Sequence, residues 1–223
     1  MSIDWQPLWL TLELATLTTA VLLVVGLPLA TWLAGPAFRL KPVAEAVISL
    51  PLVLPPSVLG FYLLLAFSPA NALGRFLESV FDLRLVFSFP GLVLASVLYS
   101  LPFMVQPLQA GLEAVPPSLK EAAYTLGRSR LTTLFRVQLP LIKPALLTGI
   151  VLSFAHTIGE FGLVLMIGGN LPGETRVASI AIYNEVETLN YAAAHTYSAV
   201  LLLLAFSILL SVYLINKRLV RTT

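Results

Sequence analysis

Long apolar runs separated by short polar connections dominate the pattern of hydrophobic and polar positions along the chain. None of the five runs contains a lysine or an arginine, and each has roughly the 20 apolar residues that a helix needs to cross a bilayer. The pattern predicts an all-α integral membrane protein with five transmembrane helices, built as one domain over residues 1–223. The predicted spans cover about residues 9–34, 43–67, 86–108, 144–167 and 192–215.

The basic residues predict how these helices are oriented. Cytoplasmic loops carry an excess of lysine and arginine, and alternate connections here hold ten basic residues on one side against three on the other. We therefore expect the N-terminus outside, the C-terminus in the cytoplasm, and the long connection 111–143 in the cytoplasm. The ten are Arg39, Lys41, Lys120, Arg128, Arg130, Arg136, Lys143, Lys217, Arg218 and Arg221; the three are Arg75, Arg84 and Arg176.

Composition excludes several classes of protein. Hydrophobic residues make up 58% of the chain and charged residues 11%, whereas soluble domains carry about 25% charged residues. A soluble enzyme is thus excluded, and the net charge of +2 with scattered basic residues gives no indication of nucleic-acid binding. With no cysteine and two histidines, we expect no catalytic residue, no metal site and no cofactor bound by this chain. His156 and His195 are interpreted as packing residues, each with one hydrogen-bonded nitrogen.

The connection 111–143 has an internal design of its own. Ser118 and Glu121 have the spacing of a capping box, in which each side chain satisfies a free backbone N–H group at a helix start. A short helix is predicted from about residue 119 to 126, and Gly127 fits the C′ position after its end. The connection is therefore expected to form ordered helices and to contact another molecule.

One narrow apolar face is predicted on this short helix, and a second helix follows it. The face has the spacing i, i+3, i+4 and i+7, and it suits either the lipid surface or a groove in another protein. Its two small alanines favour the protein groove. The second helix is predicted over residues 131–139, ending at Pro140. The face consists of Leu119, Ala122, Ala123 and Leu126.

A spaced motif runs through the same connection. Glu121-Ala122-Ala123 is followed after three residues by Gly127, and after nine more by Val137-Gln138-Leu139-Pro140. This arrangement resembles the EAA loop of ABC importer permeases. The resemblance implies a type I ABC importer permease fold. It also implies that residues from about 117 to 127 form a coupling helix, docked on a separate ATP-binding subunit. The implied coupling residues are Ser118, Glu121, Ala122, Ala123, Leu126, Gly127 and Pro140.

Three further motifs narrow the resemblance: LPLVLPP at residues 50–56 followed by Gly60, HTIGEFG at 156–162, and LPGETR at 171–176. They are similar to the molybdate permease subfamily, although the GEFG element is also similar to sulfate permeases. The resemblance implies a homodimeric permease in the bacterial cytoplasmic membrane, with two ATP-binding subunits and an extracytoplasmic molybdate-binding protein. Because this chain has no GxxxxGK[ST] motif, ATP and magnesium are expected to be used by the partner subunit.

Interrupted positions in the second and fourth runs are candidates for the translocation path or its gate. Prolines break the second run, and a hydroxyl capping the helix after them would give a weak anion contact near mid-membrane. A kink that only aids packing remains equally open. Glu160 is interpreted as a satisfied structural carboxylate, with a gate-bracing role as the alternative. The candidates are Pro55, Pro56, Ser57, Gly60, Gly159, Glu160 and Gly162.

Three other functions are considered. The same architecture could carry sulfate or tungstate, and no residue decides this on physical grounds. An intramembrane hydrolase would need paired aspartates or a Ser–His pair, but no span contains an aspartate and the sequence indicates no Ser–His pairing. A stand-alone channel would leave the long connection 111–143 without a purpose. The resemblance to molybdate permeases implies a non-enzymatic permease subunit for molybdate import.

Overall fold

Residues 4–221 are described in the computed structural model of the protein, with side chains for all of these except residues 212 and 215–221. The described part of the chain contains helices and no strand. The helices are α1 (Gln6–Leu33), α2 (Lys41–Ser49), α3 (Pro56–Phe67), α4 (Ala72–Phe81), α5 (Phe89–Glu113), α6 (Pro117–Thr125), α7 (Arg130–Thr133), α8 (Leu139–Leu141), α9 (Lys143–Ile158), α10 (Gly162–Gly168), α11 (Ala178–Glu187) and α12 (Tyr191–Arg221).

Three helices are long and apolar enough to cross a membrane by themselves. They are α1, α5 and the part of α12 from residue 191 to 211, and they fall on the first, third and fifth predicted runs. α5 packs against both α1 and α9, so it forms the centre of the bundle. The prediction of long apolar helices at these three places is confirmed.

The second predicted run is not one straight helix. The segment formed by α2 and a 3-10 turn at Leu50–Leu52 meets α3 at an angle of 108°. Pro55 has an extended ψ of 137°, and Pro56 begins the new helix, where a missing N–H costs nothing. The predicted interruption is thus present, and it is a sharp turn rather than a kink.

The fourth run is interrupted as well. α9 ends at Ile158 and α10 begins at Gly162, so the predicted single span 144–167 consists of two helices. In front of α9, the helical stretch Arg130–Leu141 meets it at 81°. The structure thus contains two bent pairs, and each pair has the length and composition of one further span.

The helix predicted to end at Pro140 continues past that residue. A π-helical segment at Leu134–Gln138 leads into α8, and the N–H of Leu139 donates to the carbonyl of Leu134, five residues back. Pro140 then lies in the first turn of α8, where its missing N–H needs no acceptor. The prediction that Pro140 ends the helix is wrong because the wider turn accommodates it.

Two apolar clusters form most of the core. One joins α1, α5 and α9 around Leu22, Met104 and Leu108, and the other joins α1, α5 and α10 around Leu14 and Ile167. A third, smaller cluster attaches α11 and α12 to the start of α1. These clusters include helices from both ends of the described chain. The first three and last two residues lie outside the described part.

A polar seam attaches α2 to the second half of α5. Its three contacts are spaced about one helical turn apart along each helix. Lys41 Nζ lies 3.1 Å from Glu113 Oε1, Gln109 Nε2 donates to Glu45 Oε1 at 2.8 Å, and Gln106 Nε2 donates to Ser49 Oγ at 3.0 Å. The polar seam consists of Lys41, Glu45, Ser49, Gln106, Gln109 and Glu113.

Candidate functional site

The predicted end of the short helix α6 is confirmed. Gly127 has φ +73°, its N–H donates to the carbonyl of Tyr124 at 2.9 Å, and the N–H of Arg128 donates to that of Ala123 at 3.0 Å. These two bonds make a Schellman motif, which satisfies carbonyls that the helix leaves free. The sequence positions Gly127 correctly because few other residues adopt a left-handed backbone at low cost.

The predicted capping box at the start of α6 is wrong. The N-cap residue is Pro116 and the helix begins at Pro117, so Ser118 already lies inside the first turn. Neither Ser118 nor Glu121 makes a side-chain hydrogen bond to another described residue, and both are exposed. Two consecutive prolines start the helix without a capping side chain, since both lack an N–H group that would need an acceptor.

The predicted apolar face of α6 divides into a buried part and an open part. Ala123 is only 7% exposed and packs on the rest of the chain. Leu126 is 79% exposed, and Leu119 and Ala122 are also exposed. A small helix that attaches through one alanine and presents two leucines outward has a free apolar surface for another molecule.

Replacing Gly127 with valine is expected to loosen the end of α6. A Cβ at this position would have open space around it, so the cost comes from the left-handed backbone alone, about 1–2 kcal/mol. We expect the amides of residues 122–128 to exchange with deuterium up to roughly tenfold faster in the Gly127→Val chain. Gly127→Asn, which tolerates this backbone better, serves as the matched variant. Equal exchange in the valine and glycine chains would contradict the argument.

A cavity of about 540 Å³ lies where α3 begins, beside the middle of α5 and the break between α9 and α10. Five of the seven predicted path residues line it, whereas Pro55 and Gly60 do not. Gly60 instead allows close packing, because a Cβ there would come 2.8 Å from Cβ of Met166 in α10. The lining consists of Pro56, Ser57, Tyr99, Ala155, His156, Gly159, Glu160, Phe161 and Gly162.

Ser57 does not cap α3 as predicted. Pro55 occupies the N-cap position, and no side chain caps the helix start. Ser57 is exposed, and its hydroxyl has no hydrogen-bond partner among the described residues. Gly162 approaches it closely, since a Cβ on Gly162 would lie 3.5 Å from the Ser57 nitrogen. The hydroxyl is therefore free to contact a molecule in the cavity.

Glu160 braces the break between α9 and α10. It is 5% exposed, its Oε2 accepts a hydrogen bond from Ser96 Oγ at 3.0 Å, and its backbone carbonyl accepts one from Ser179 Oγ at 2.6 Å. Oε1 has no partner, and no described lysine or arginine pairs with the carboxyl group. These bonds join the break to α5 and α11, but the prediction of a satisfied carboxylate is not met, because the buried Oε1 has no hydrogen-bond partner among the described residues.

His156 lines the same cavity, which the sequence did not indicate. Its ring lies between Tyr99 and Phe103, with centroid distances of 4.8 and 4.1 Å, and its Nδ1 lies 2.9 Å from Ser100 Oγ. The expectation of one hydrogen-bonded ring nitrogen is wrong for the exposed His195, which makes no side-chain hydrogen bond to a described residue, and it is confirmed for His156. The only available signal was its position four residues before Glu160, which places both near the end of one helix.

Comparison with known proteins shows long matches to transport proteins. The profile of the family described as the inner membrane component of binding-protein-dependent transport systems matches residues 26–221. The molybdenum transport system permease protein ModB of Azotobacter vinelandii is 49% identical over 94% of this chain and 93% of its own length. Its counterpart in Escherichia coli K12 is 37% identical over 83% and 81%. The sulfate transport system permease protein CysT of Salmonella typhimurium is 35% identical over 87% and 70%.

Solved structures show the same fold at low sequence identity. The inward-facing MetNI methionine ABC transporter aligns with a TM-score of 0.73 at 17% identity, covering 95% of this chain and 94% of the other. A bacterial alginate ABC transporter, in complex with its alginate pentasaccharide-bound periplasmic protein, aligns with a TM-score of 0.77 at 20% identity, covering 96% and 78%. The chain has an ABC importer permease fold, and it belongs to the family of inner membrane components of binding-protein-dependent transport systems.

Proposed function

We propose that this chain is the membrane-spanning permease subunit of an ATP-driven importer of molybdate. The observation that carries the proposal is the 49% identity to a molybdenum permease over nearly the whole length of both chains. The sulfate permease is less similar and extends well beyond the matched region. Sulfate or tungstate import is the second candidate, since the GEFG element is common to both subfamilies.

Oxyanion uptake in a strain lacking this chain tests the proposal. The strain is complemented with the intact gene, and uptake of molybdate, tungstate and sulfate is measured at low concentrations. Restored molybdate uptake supports the proposal. Restoration of sulfate uptake alone would keep the architecture and replace the substrate, whereas no restored uptake of any oxyanion would contradict the importer.

Five spans are proposed, in a multi-pass protein of the bacterial cytoplasmic membrane. Three helices have the length of a span by themselves, and each of the two bent pairs supplies one more. The excess of basic residues in alternate connections supports an N-terminus outside and a C-terminus in the cytoplasm. Three of the basic residues, Lys217, Arg218 and Arg221, have side chains outside the described part of the chain.

We infer that α6 is the coupling helix and docks on a separate ATP-binding subunit, which uses ATP and magnesium. The open leucines on α6 supply an apolar contact surface, and the Schellman motif fixes where the helix ends. Glu121 and Ala122 are exposed on the same helix, and the Glu121 side chain makes no hydrogen bond or ion pair to a described residue. This chain would then transmit movement and carry out no hydrolysis itself.

A homodimer with two ATP-binding subunits and an extracytoplasmic molybdate-binding protein is the proposed assembly. α2 and the 3-10 turn after it expose an apolar stripe, and a bundle this thin needs a second copy to enclose a hydrophilic path. Cross-linking of the purified complex would measure the stoichiometry. The exposed stripe consists of Val43, Val47, Leu50 and Val53.

The cavity at the start of α3 is proposed as part of the translocation path. Tyr99 lies near the middle of α5, about 15 Å along the axis from Phe89 and about 21 Å from Glu113. A cavity beside Tyr99 therefore lies close to the middle of the membrane if α5 spans it. Its hydroxyl groups suit weak, transient contacts with a tetrahedral anion during passage.

Replacing Ser57 with alanine is expected to lower molybdate uptake by up to about tenfold. The hydroxyl has no hydrogen-bond partner among the described residues, so its loss removes one hydrogen bond to the passing anion, about 0.5–1.5 kcal/mol, and leaves stability unchanged. Uptake rates in membrane vesicles measure the effect. Ser79→Ala on the exposed helix α4 is the control. If uptake through the Ser57 variant equals uptake through this control, the Ser57 hydroxyl does not contact the transported anion.

A further inference from the structure

Hydrogen bonds beside the cavity form a chain whose direction can be deduced. Thr157 Oγ1 donates to the carbonyl of Ser153 at 2.9 Å, because a carbonyl can only accept. The single proton of Thr157 is thereby used, so in its 3.2 Å contact with Ser100 Oγ the serine must donate. The proton of Ser100 is then also used, so all three contacts are hydrogen bonds at once only when His156 Nδ1 donates to Ser100 Oγ across 2.9 Å.

This chain fixes the tautomer of His156. With its proton on Nδ1, the neutral ring carries a lone pair on Nε2. Nε2 makes no hydrogen bond to a described residue and is not among the polar atoms sealed from solvent. Since His156 lines the cavity, Nε2 is the ring atom available to a molecule inside it. In this neutral form it can only accept a hydrogen bond and would not favour an anion.

Among the described side chains, a dianion in this cavity would meet no permanent positive charge. Neither lysine nor arginine lines it, and burying an uncompensated charge is costly. Among the lining side chains, Tyr99 and Glu160 titrate between neutral and negative forms. His156 alone can become a cation.

We propose that His156 is the cationic contact for the transported oxyanion, taking up a proton on Nε2 when the dianion enters the cavity. The new N–H bond forms with a proton from water, the N–H donates to an oxyanion oxygen, and the proton returns to water when the anion leaves. This inference rests on the proposed function of the chain as an oxyanion permease.

Burial of the His156 ring disfavours a charge on it, so the imidazolium form depends on the negative charge of the anion beside it. His156 lies in the last turn of α9, where the helix dipole favours a positive charge, and the rings of Tyr99 and Phe103 flank it. The titratable groups that face it are Tyr99 from α5 and Glu160 from the break after α9. Both are acids, and neither opposes a proton on the ring.

The test uses the complete transporter in proteoliposomes, with its ATP-binding subunits and an excess of molybdate-loaded binding protein. Uptake is measured between pH 6 and 8.5 for the intact chain, for His156→Gln, and for His195→Gln as the matched control. Glutamine keeps an N–H donor but cannot titrate. Uptake through the intact and His195→Gln chains is expected to fall with rising pH, approaching tenfold per unit. Through His156→Gln we expect uptake at least about tenfold lower at pH 6 and no such slope.

Because all three chains receive the same binding protein, its own pH dependence cancels in the ratio between chains. Co-purification of the permease with its ATP-binding subunits reports whether the variant is assembled. If His156→Gln keeps the pH slope of the intact chain, the proposal is overturned, whatever its absolute rate. Absence of molybdate uptake by the intact chain at every pH would instead overturn the proposed function.

Ser100→Ala provides a second, independent variant. It removes the acceptor for Nδ1–H and leaves the ring itself in place, so Ser100 acts as a positioning residue. We expect the pH at which uptake is half-maximal to shift while a slope remains. An unchanged midpoint would contradict the role of the hydrogen-bond chain in fixing the tautomer.

Discussion

A chain with Glu121→Lys is expected to fold normally while molybdate uptake falls to background. Glu121 is exposed on α6 and makes no hydrogen bond or ion pair within the described protein, so reversing its charge costs no internal contact. In the proposed interface with the ATP-binding subunit, an unpaired or repelling charge costs about 2–5 kcal/mol, which weakens docking by 30-fold or more. Co-purification of the two subunits and vesicle uptake measure the two effects separately.

Glu78→Lys is the matched control for this charge reversal. Glu78 is an exposed glutamate on α4, a helix with no proposed contact to the ATP-binding subunit. Uptake through this control is expected to equal that of the intact chain. If molybdate uptake through Glu121→Lys equals uptake through Glu78→Lys, Glu121 does not contribute to the coupling of α6 to the ATP-binding subunit.

Replacing Gly91 with alanine is expected to destabilise the whole bundle. Gly91 lies in the first turn of α5, where its N–H donates to the capping hydroxyl of Ser88 at 3.3 Å. A Cβ on Gly91 would overlap the backbone carbonyl of Leu85, which cannot rotate away as a side chain could. We expect a loss of about 3 kcal/mol or more in the free energy of unfolding, a lower Tm of the purified protein, and less protein in the membrane.

Gly159→Ala distinguishes this clash from a general intolerance of added methyl groups. A Cβ at Gly159 would find its nearest neighbours at 3.8 Å, which is ordinary van der Waals contact. The Tm of this variant is expected to match that of the intact protein. A Gly91→Ala protein with the same Tm as Gly159→Ala would show that the start of α5 adjusts without cost.

Much of the helical framework could be predicted because it depends on local signals. A long apolar run specifies a helix wherever it lies, and α1, α5 and α12 appear at the predicted places. Gly127 was predictable for the same reason, since the left-handed backbone at a helix end depends on the residue itself. These features need no knowledge of which helices are neighbours.

The predictions that were wrong concern places where the backbone can be satisfied in more than one way and the sequence does not decide between them. Ser118 matches a capping pattern, but Pro116 and Pro117 start the helix two residues earlier. Pro140 matches a helix stop, but a π segment before it moves the proline into a new first turn. In both places the local rule is sound, and a neighbouring proline or a wider turn satisfies the backbone in another way.

The role suggested for His156 could not be reached from the sequence. It depends on Ser100 of α5 lying beside Thr157 of α9, a contact between residues 57 positions apart. Periodicity identifies both helices but not which faces of them meet. The five candidate path residues that line the cavity could be proposed one by one from the sequence, whereas their meeting with His156 and Tyr99 required the packed structure.

The polar seam between α2 and α5 restricts how α2 can move. Sliding α2 by one turn along α5 would place Lys41 opposite Gln109, leave Glu113 without its cation, and bring Ser49 against Pro102, which has no N–H to offer. Intermediate positions would break all three contacts at once. We therefore expect α2 to occupy one of two states, either making all three contacts with α5 or making none of them, without stable intermediate positions.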